Sequence, residues 1–212
     1  MGIRLPQQKF LLKLFPTRFS VRGRFNYMNM SRYGFWDERT LRRGFAHGFH
    51  WPEFNAQLLA RMLPAEDELI AAQDPSFVPK RGKNHYGLGQ FFNGGASRPE
   101  KGLEVSLVSV VDVTQSTAYA LSAMQTPPGE KSNDAVTKSR GKKKKGTKAS
   151  DKESTDTRID VYLRHFHSVC ASLPRKIRHL AVDGYFTNFK FVSGVCSLGM
   201  DVVGKLRSDA NE

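Results

Sequence analysis

The chain has only two cysteines, no long apolar run, and none of the motifs that mark the common nucleotide-binding and hydrolytic enzymes. Cys170 and Cys196 are too few for a disulfide framework and lack zinc-ligand spacing. Each lies in an apolar helical pattern, which predicts buried, reduced thiols. No apolar stretch approaches the roughly 20 residues of a membrane helix. The first 20 residues scatter charges among apolar positions and form no signal-peptide core. Pro6 stands where a myristoylation motif requires Ser or Thr. A Walker loop, a nucleophile elbow, a dinucleotide fingerprint and an internal repeat are all missing. The expectation is a soluble, cytoplasmic protein with no membrane partner.

Acidic residues are scarce too. Asp and Glu number 20 against 33 Lys and Arg, a net charge of +13 over 212 residues. That length holds one α/β domain with a real core, plus an accessory segment. The charge points to a polyanion, with a phosphate backbone ahead of a membrane surface. A merely solvated basic surface is the alternative.

Three textures divide the chain. Residues 1–63 are rich in Arg and aromatics. Residues 64–128 and 158–209 have the pattern of a folded core. Residues 129–157 (GEKSNDAVTKSRGKKKKGTKASDKESTDT) hold almost no apolar side chain, so burial cannot offset ordering entropy and a disordered basic linker is expected. Its Lys142–Lys145 run reads equally as a targeting signal, a DNA tether or plain solvated linker.

Within the core, strands are expected at 69–74, 85–93 and 102–113, the last with apolar residues on alternate positions in its first half. Short, turn-rich links make them antiparallel neighbours. Ile159, Tyr162, Leu163, Phe166, Val169 and Cys170 share one helical face. A short strand, 179–183, follows, then a helix with Phe191, Val192, Val195 and Cys196 inward and Gly199 at its stop. The last strand spans 200–206. The order βββαβαβ, with right-handed crossovers, is that of an RNase H-like α/β core with a mixed sheet. It brings the first and fourth strands side by side.

Each of those two strands runs into an acid, Asp74 and Asp183. Hard oxygen ligands suit Mg2+, with Mn2+ as substitute. Paired ions serve in-line phosphoryl displacement, and two close carboxylates repel unless a cation lies between them. The competing reading is ordinary turn chemistry, since Asp74 precedes Pro75 and Asp183 precedes Gly184. Asp112 lies on an apolar strand and reads as structural. Lys80, Arg81 and Lys83 follow Asp74 and are candidates to hold a DNA phosphate beside the metals. His165 and His167, two apart on a helix, face different ways and make a poor metal pair.

Residues 22–45 read as a short helix, a turn at Gly34 and a second helix opened by Asp37. That is compatible with a helix-turn-helix. Arg39, Arg42 and Arg43 are its candidate DNA-binding residues, with Leu41 and Phe45 inward. The alternative is a helical hairpin with a charged face. Trp51, Phe54, Leu58, Leu59 and Met62 form an apolar stripe assigned to packing.

Three segments, RFNYMNMSRYGFWDERTLRRGF, AAQDPSFVPKRGKNHYGLGQFFNGG and RHLAVDGYFTNFKFVSGVCSLGMDVVGKLRSDAN, give the chain a family likeness. It resembles the DDE transposases of bacterial insertion sequences. The resemblance implies a helical DNA-binding segment (1–63) before a catalytic core (64–212). Asp74 and Asp183 become the first two acids of the triad. Mg2+-dependent cleavage and strand transfer at transposon ends are implied, on double-stranded DNA and as a homodimer. The family's third acid, a Glu on a later helix, has no counterpart, because Glu212 comes too early; a truncated copy is expected. A non-catalytic DNA-binding remnant and a different RNase H-like nuclease are the rival readings.

Overall fold

The computed structural model describes residues 3–82, 85–128, 156–174 and 176–206. Most of the 129–157 linker, Lys83, Asp209 and Glu212 lie outside the described residues. The chain divides into two compact units, Met1–His50 and Trp51–Glu212. No helix among the described residues is long and apolar enough to cross a membrane.

The first unit holds three helices, α1 (Leu5–Ser20), α2 (Tyr27–Tyr33) and α3 (Glu38–Ala46). Side-chain caps open the two short ones. Asn26 accepts the N–H of Asn29, and Asp37 accepts that of Thr40 at 2.8 Å, each satisfying one of the donors a helix start leaves free. Leu11, Leu14, Met30 and Leu41 are buried together at the centre. Gly34 makes the turn between α2 and α3 because a Cβ there would meet Thr17 at 2.5 Å and the Met30 carbonyl at 2.8 Å.

The second unit begins with α4 (Trp51–Met62), so the division falls before this helix and not at residue 63. Leu59 enters the core, and Asn55 Nδ2 donates to the Leu121 carbonyl at 3.0 Å. The expected packing stripe holds only in part. Trp51, Leu58 and Met62 are exposed, because α4 turns Ala56 and Leu59 toward the core instead.

Six strands come next: β1 (Leu69–Pro79), β2 (Gly89–Asn93), β3 (Arg98–Asp112), β4 (Thr117–Thr126), β5 (His179–Val182) and β6 (Asp201–Gly204). The sheet order is β2-β3-β1-β5-β6, with β4 also on β3. Strands β1 to β4 pair antiparallel, whereas β1–β5 and β5–β6 are parallel. Helix α5 (Arg158–Cys170) links β4 to β5, and α6 (Phe189–Cys196) links β5 to β6. This is the expected RNase H-like mixed sheet, with a first and a later strand adjacent in parallel.

Three details differ from the sequence reading. A fourth meander strand, β4, was not expected; its TAYALSAMQT is rich in residues with no strand preference, and β3 imposes the conformation. β1 does not stop at Asp74 but runs on through Pro75 to Pro79. Proline is tolerated in a strand with one open edge, and β5 pairs with β1 only at Ala71–Gln73. Cys196 is exposed, since α6 turns Phe191 and Val195 inward instead, and Cys170, at the end of α5, is only half-buried against the core. Gly199, at φ 76°, ends the α6 segment in the left-handed region that favours glycine.

The core between α5, α6 and the sheet stacks Tyr162, Phe186 and Phe191, with Phe186 5.1 Å and 5.0 Å from its two neighbours. Its β3 wall is part polar, since Val108 and Val110 share it with polar residues. Glu104, Ser106 and Asp112 are buried, while Leu103, Val105 and Leu107 lie half-buried on the other face. Gln73 Nε2 donates to Ser106 Oγ and to the Tyr162 carbonyl, both at 3.0 Å. His165 bridges Ser106 Oγ and Ser122 Oγ, each at 2.9 Å. Tyr162 OH donates to Glu104 at 2.5 Å, and Arg158 reaches the same carboxylate at 3.4 Å. This buried network ties α5 to three strands, with Gln73 Oε1 left without a partner among the described residues.

Burial lowers the His165 pKa from 6.5 to about 4. The unfolded chain takes up this proton below pH 6.5 and the folded chain does not. Stability present above pH 6.5 is therefore lost as pH falls toward 4, by up to about 3 kcal/mol. His165→Gln is expected to lower Tm at pH 7, through about 1–3 kcal/mol of lost hydrogen bonding. Its Tm deficit against wild type should narrow as pH falls to 4.5, which thermal melts across that range will measure.

Candidate active site

Asp74 and Asp183 meet through strand register. Gln73 of β1 pairs with Val182 of β5, so the next residue along each strand is an acid. Neighbouring strands lie about 4.8 Å apart, and the two carboxyl groups are close enough to feel one another. Burial first, and then the charge of Asp183, push the Asp74 carboxyl above the usual carboxylate range. Alternation along β1 turns Gln73 toward α5 and Asp74 to the opposite, open face. Both acids are exposed.

Local chemistry fixes each acid. Asp74 is carried by a strand whose partner β3 continues past it, pairing Asp74 with Leu107. Asp183 is the first residue beyond β5, and its Oδ1 accepts the N–H of Tyr185 at 3.0 Å. Asp183 therefore makes the turn that the sequence also allowed, and it stays beside Asp74 while doing so. The two readings are not exclusive.

Two exposed carboxylates with unrelieved mutual repulsion are a fitting donor set for a hard divalent cation such as Mg2+ or Mn2+, which keeps several waters and needs few protein ligands. Among the described residues, no third acid, histidine or cysteine joins the pair.

The basic candidates lie elsewhere. Lys80 and Arg81 are exposed just beyond the end of β1. Six residues of regular strand place Lys80 about 20 Å from Asp74, so the structure does not set them beside the acids as expected. Lys83 is outside the described residues. In the first unit Arg39 and Arg43 are exposed. Arg42 is engaged: its Nε and Nη2 donate to Glu38 at 2.9 and 2.5 Å, and its guanidinium covers the Tyr27 ring at 4.7 Å. Leu41 is buried as expected, whereas Phe45 is 41% exposed and is held at its edge by Phe10 and Tyr27.

Asp112 is structural, as its sequence context implied. Its Oδ1 accepts the N–H of Gln115 at 2.9 Å in the β3–β4 turn. His165 serves the buried network rather than a metal. Sequence reasoning missed Glu104 and Gln73, whose signal was a polar residue at an inward position of an otherwise apolar strand. It also missed Tyr185, one of two adjacent aromatics in a tight turn after an acid.

No curated protein matches the sequence at a significant level. Among solved structures, the chain aligns with a cryo-EM structure of the piggyBac transposase synaptic complex with hairpin DNA. The TM-score is 0.42 and the identity 12%, over 100% of this chain and 38% of that one. So the chain spans well under half of that transposase, and a likeness at this level carries no functional weight. The model of the DDE superfamily endonucleases matches residues 16–211. Matched over nearly its whole length, with two acids set side by side by the central strands, the chain belongs to the DDE superfamily endonucleases.

Proposed function

We propose that this chain acts on DNA as a metal-dependent endonuclease of the transposase type, cutting at transposon ends and joining the freed 3′ hydroxyl to target DNA. The observation that carries the reading is the β1–β5 register, which sets Asp74 beside Asp183. Family membership supports the reaction class, and a net charge of +13 supports a polyanionic substrate.

In this reading Asp74 and Asp183 hold Mg2+ or Mn2+. When bound, such an ion supplies Lewis-acid stabilisation of the phosphoryl oxygens and activation of the attacking water or hydroxyl. The residues themselves orient and grip. The β1–β3 ladder fixes the Asp74 backbone, and the Asp183–Tyr185 turn fixes that of Asp183. Lys80 and Arg81, about 20 Å along β1, contact a phosphate roughly six nucleotides away at 3.4 Å per nucleotide. Arg39 and Arg43 offer further phosphate contacts from the first unit. Arg42 contributes less, because Glu38 and Tyr27 already engage it.

A second reading has one observation in its favour: no third acid joins the pair among the described residues. In it the chain occupies DNA without cutting. Nicking of supercoiled DNA in the presence of Mn2+, lost in Asp74→Asn, is the outcome expected of the first reading. Salt-sensitive binding without nicking would select the second.

Metal binding is separable from activity. At a Mn2+ concentration one hundred times Kd, wild-type stability should rise by about 2.7 kcal/mol, on the order of 5–10 °C in Tm. Asp74→Asn and Asp183→Asn should each remove most of that gain. Without metal the sign reverses. An acid whose folded pKa is raised stabilises the fold only at low pH, and that contribution is lost as pH rises through the folded value. Metal-free Asp74→Asn should therefore melt no lower than wild type at pH 7. Differential scanning fluorimetry with and without Mn2+ checks both.

The basic residues can be tested by salt dependence. Replacing Arg39 and Arg43 together with Ala should flatten the plot of log K against log salt by about 1–2. Arg42→Ala should change it by clearly less. Fluorescence anisotropy on a DNA duplex at several salt concentrations will show whether the two variants separate.

A further inference from the structure

Helix α1 is apolar on two faces, and the core of the first unit takes up one of them. Leu11 and Leu14 turn into that core. Leu5, Leu12 and Phe19 recur at every seventh residue on another side, and they stand 62%, 71% and 87% exposed. Fourteen residues of helix make this a ridge about 21 Å long. Phe15 and Pro16 border it and are exposed as well. An apolar stripe on a helix is ordinarily buried against something, and a contiguous exposed one marks a surface that meets a partner. The family match begins at residue 16, so most of the ridge lies ahead of the matched region.

Period and charge together identify the partner. A repeat of seven is that of a narrow seam between two helices. A helix lying on a membrane carries a polar face opposite its apolar one, whereas α1 buries Leu11 and Leu14 in the unit's core. With Leu5 as the first position of the repeat, the places flanking the seam include Arg4, Lys9 and Arg18. Such flanking charges decide which helix can pair. Arg18 lies over the Phe25 ring at 4.3 Å and Lys13 over that of Trp36 at 4.5 Å, while Arg4 and Lys9 stand exposed beside the ridge. No acidic residue occurs anywhere in α1, so a second copy of this chain would set like charges against each other. A DNA backbone would match the cations alone and offers the ridge no apolar counterpart. We propose that the outer face of α1 docks an acidic amphipathic helix of another protein, one with apolar residues at alternate spacings of three and four and with Asp or Glu beside them. This surface is independent of the reading of Asp74 and Asp183.

The test uses the full chain and a fluorescein-labelled synthetic helix with Leu at the seam positions and Glu flanking them. A second peptide carries Lys in place of every Glu. By fluorescence anisotropy, wild type is expected to bind the acidic peptide about tenfold more tightly than the basic one. Leu12→Ser combined with Phe19→Ser should weaken that binding about tenfold. Its Tm should match that of wild type, because both side chains are exposed. Arg4→Glu combined with Lys9→Glu should erase the preference for the acidic peptide. Equal binding of the acidic peptide by wild type and the Ser variant would overturn the proposal, as would failure of wild type to bind it or to prefer it. Phosphatidylserine vesicles and a DNA duplex are assayed in parallel. If the Ser variant loses affinity for either of these and the acidic peptide is not bound, the ridge serves that surface and the proposal falls.

Discussion

Three residues of parallel ladder, Ala71–Gln73 against Leu180–Val182, set the geometry on which every functional reading depends. The ladder joins two stretches of chain separated by a hairpin, a meander and a helix. Because β5 ends at Val182 while β1 continues, the ladder also opens an edge above itself. Asp74 and Asp183 lie at that opening, one on a strand still held by β3 and the other on a turn. Their repulsion is the electrostatic counterpart of the register. A slip of one residue would send one carboxylate to the opposite face of the sheet.

Beneath this edge the sheet meets α5 through polar groups. Gln73 precedes Asp74 and hydrogen-bonds both β3 and α5, while Glu104 gathers Tyr162 and Arg158. Burial of a carboxylate is costly unless it is paired and hydrogen-bonded, and here both conditions are met from a single helix. Apolar contacts of Phe166 and Val169 with the sheet core hold α5 without fixing direction. The directional bonds fix where Tyr162 stands, and Tyr162 in turn braces the rings of Phe186 and Tyr185 behind Asp183.

Much of this was legible in the sequence. Asp74 and Asp183 each end an apolar run, and the helix between them announces itself by spacing. Other features were hidden for physical reasons. β4 carries few strand-forming residues, because its conformation is dictated by pairing with β3. The inward face of β3 could not be read from hydrophobicity, since its buried members include Glu104, Ser106 and Asp112. Partners of the buried polar groups on β3 and β1 lie far away in sequence, 59 positions for Ser106 and His165 and 89 for Gln73 and Tyr162. The end of β1 was misplaced because Pro75 is a strand breaker except where a neighbouring edge is open. The arginines of α3 are alike in sequence, and only the contacts of Arg42 with Glu38 and Tyr27 set it apart.

Helix α5 supplies its own beginning. Thr157 and Asp160 close a reciprocal capping box, and Lys190 pairs with the same Asp160 from α6. The helix start is thus anchored from its own first turn and from α6. At the other side of the interval, β4 ends on the buried Thr126, held in register opposite Glu104. Both flanks of the interval are therefore held by contacts of their own. A fluorescent protein or an affinity tag spliced between β4 and α5 would thus meet, on either side, an element that holds its own place in the sheet or against it.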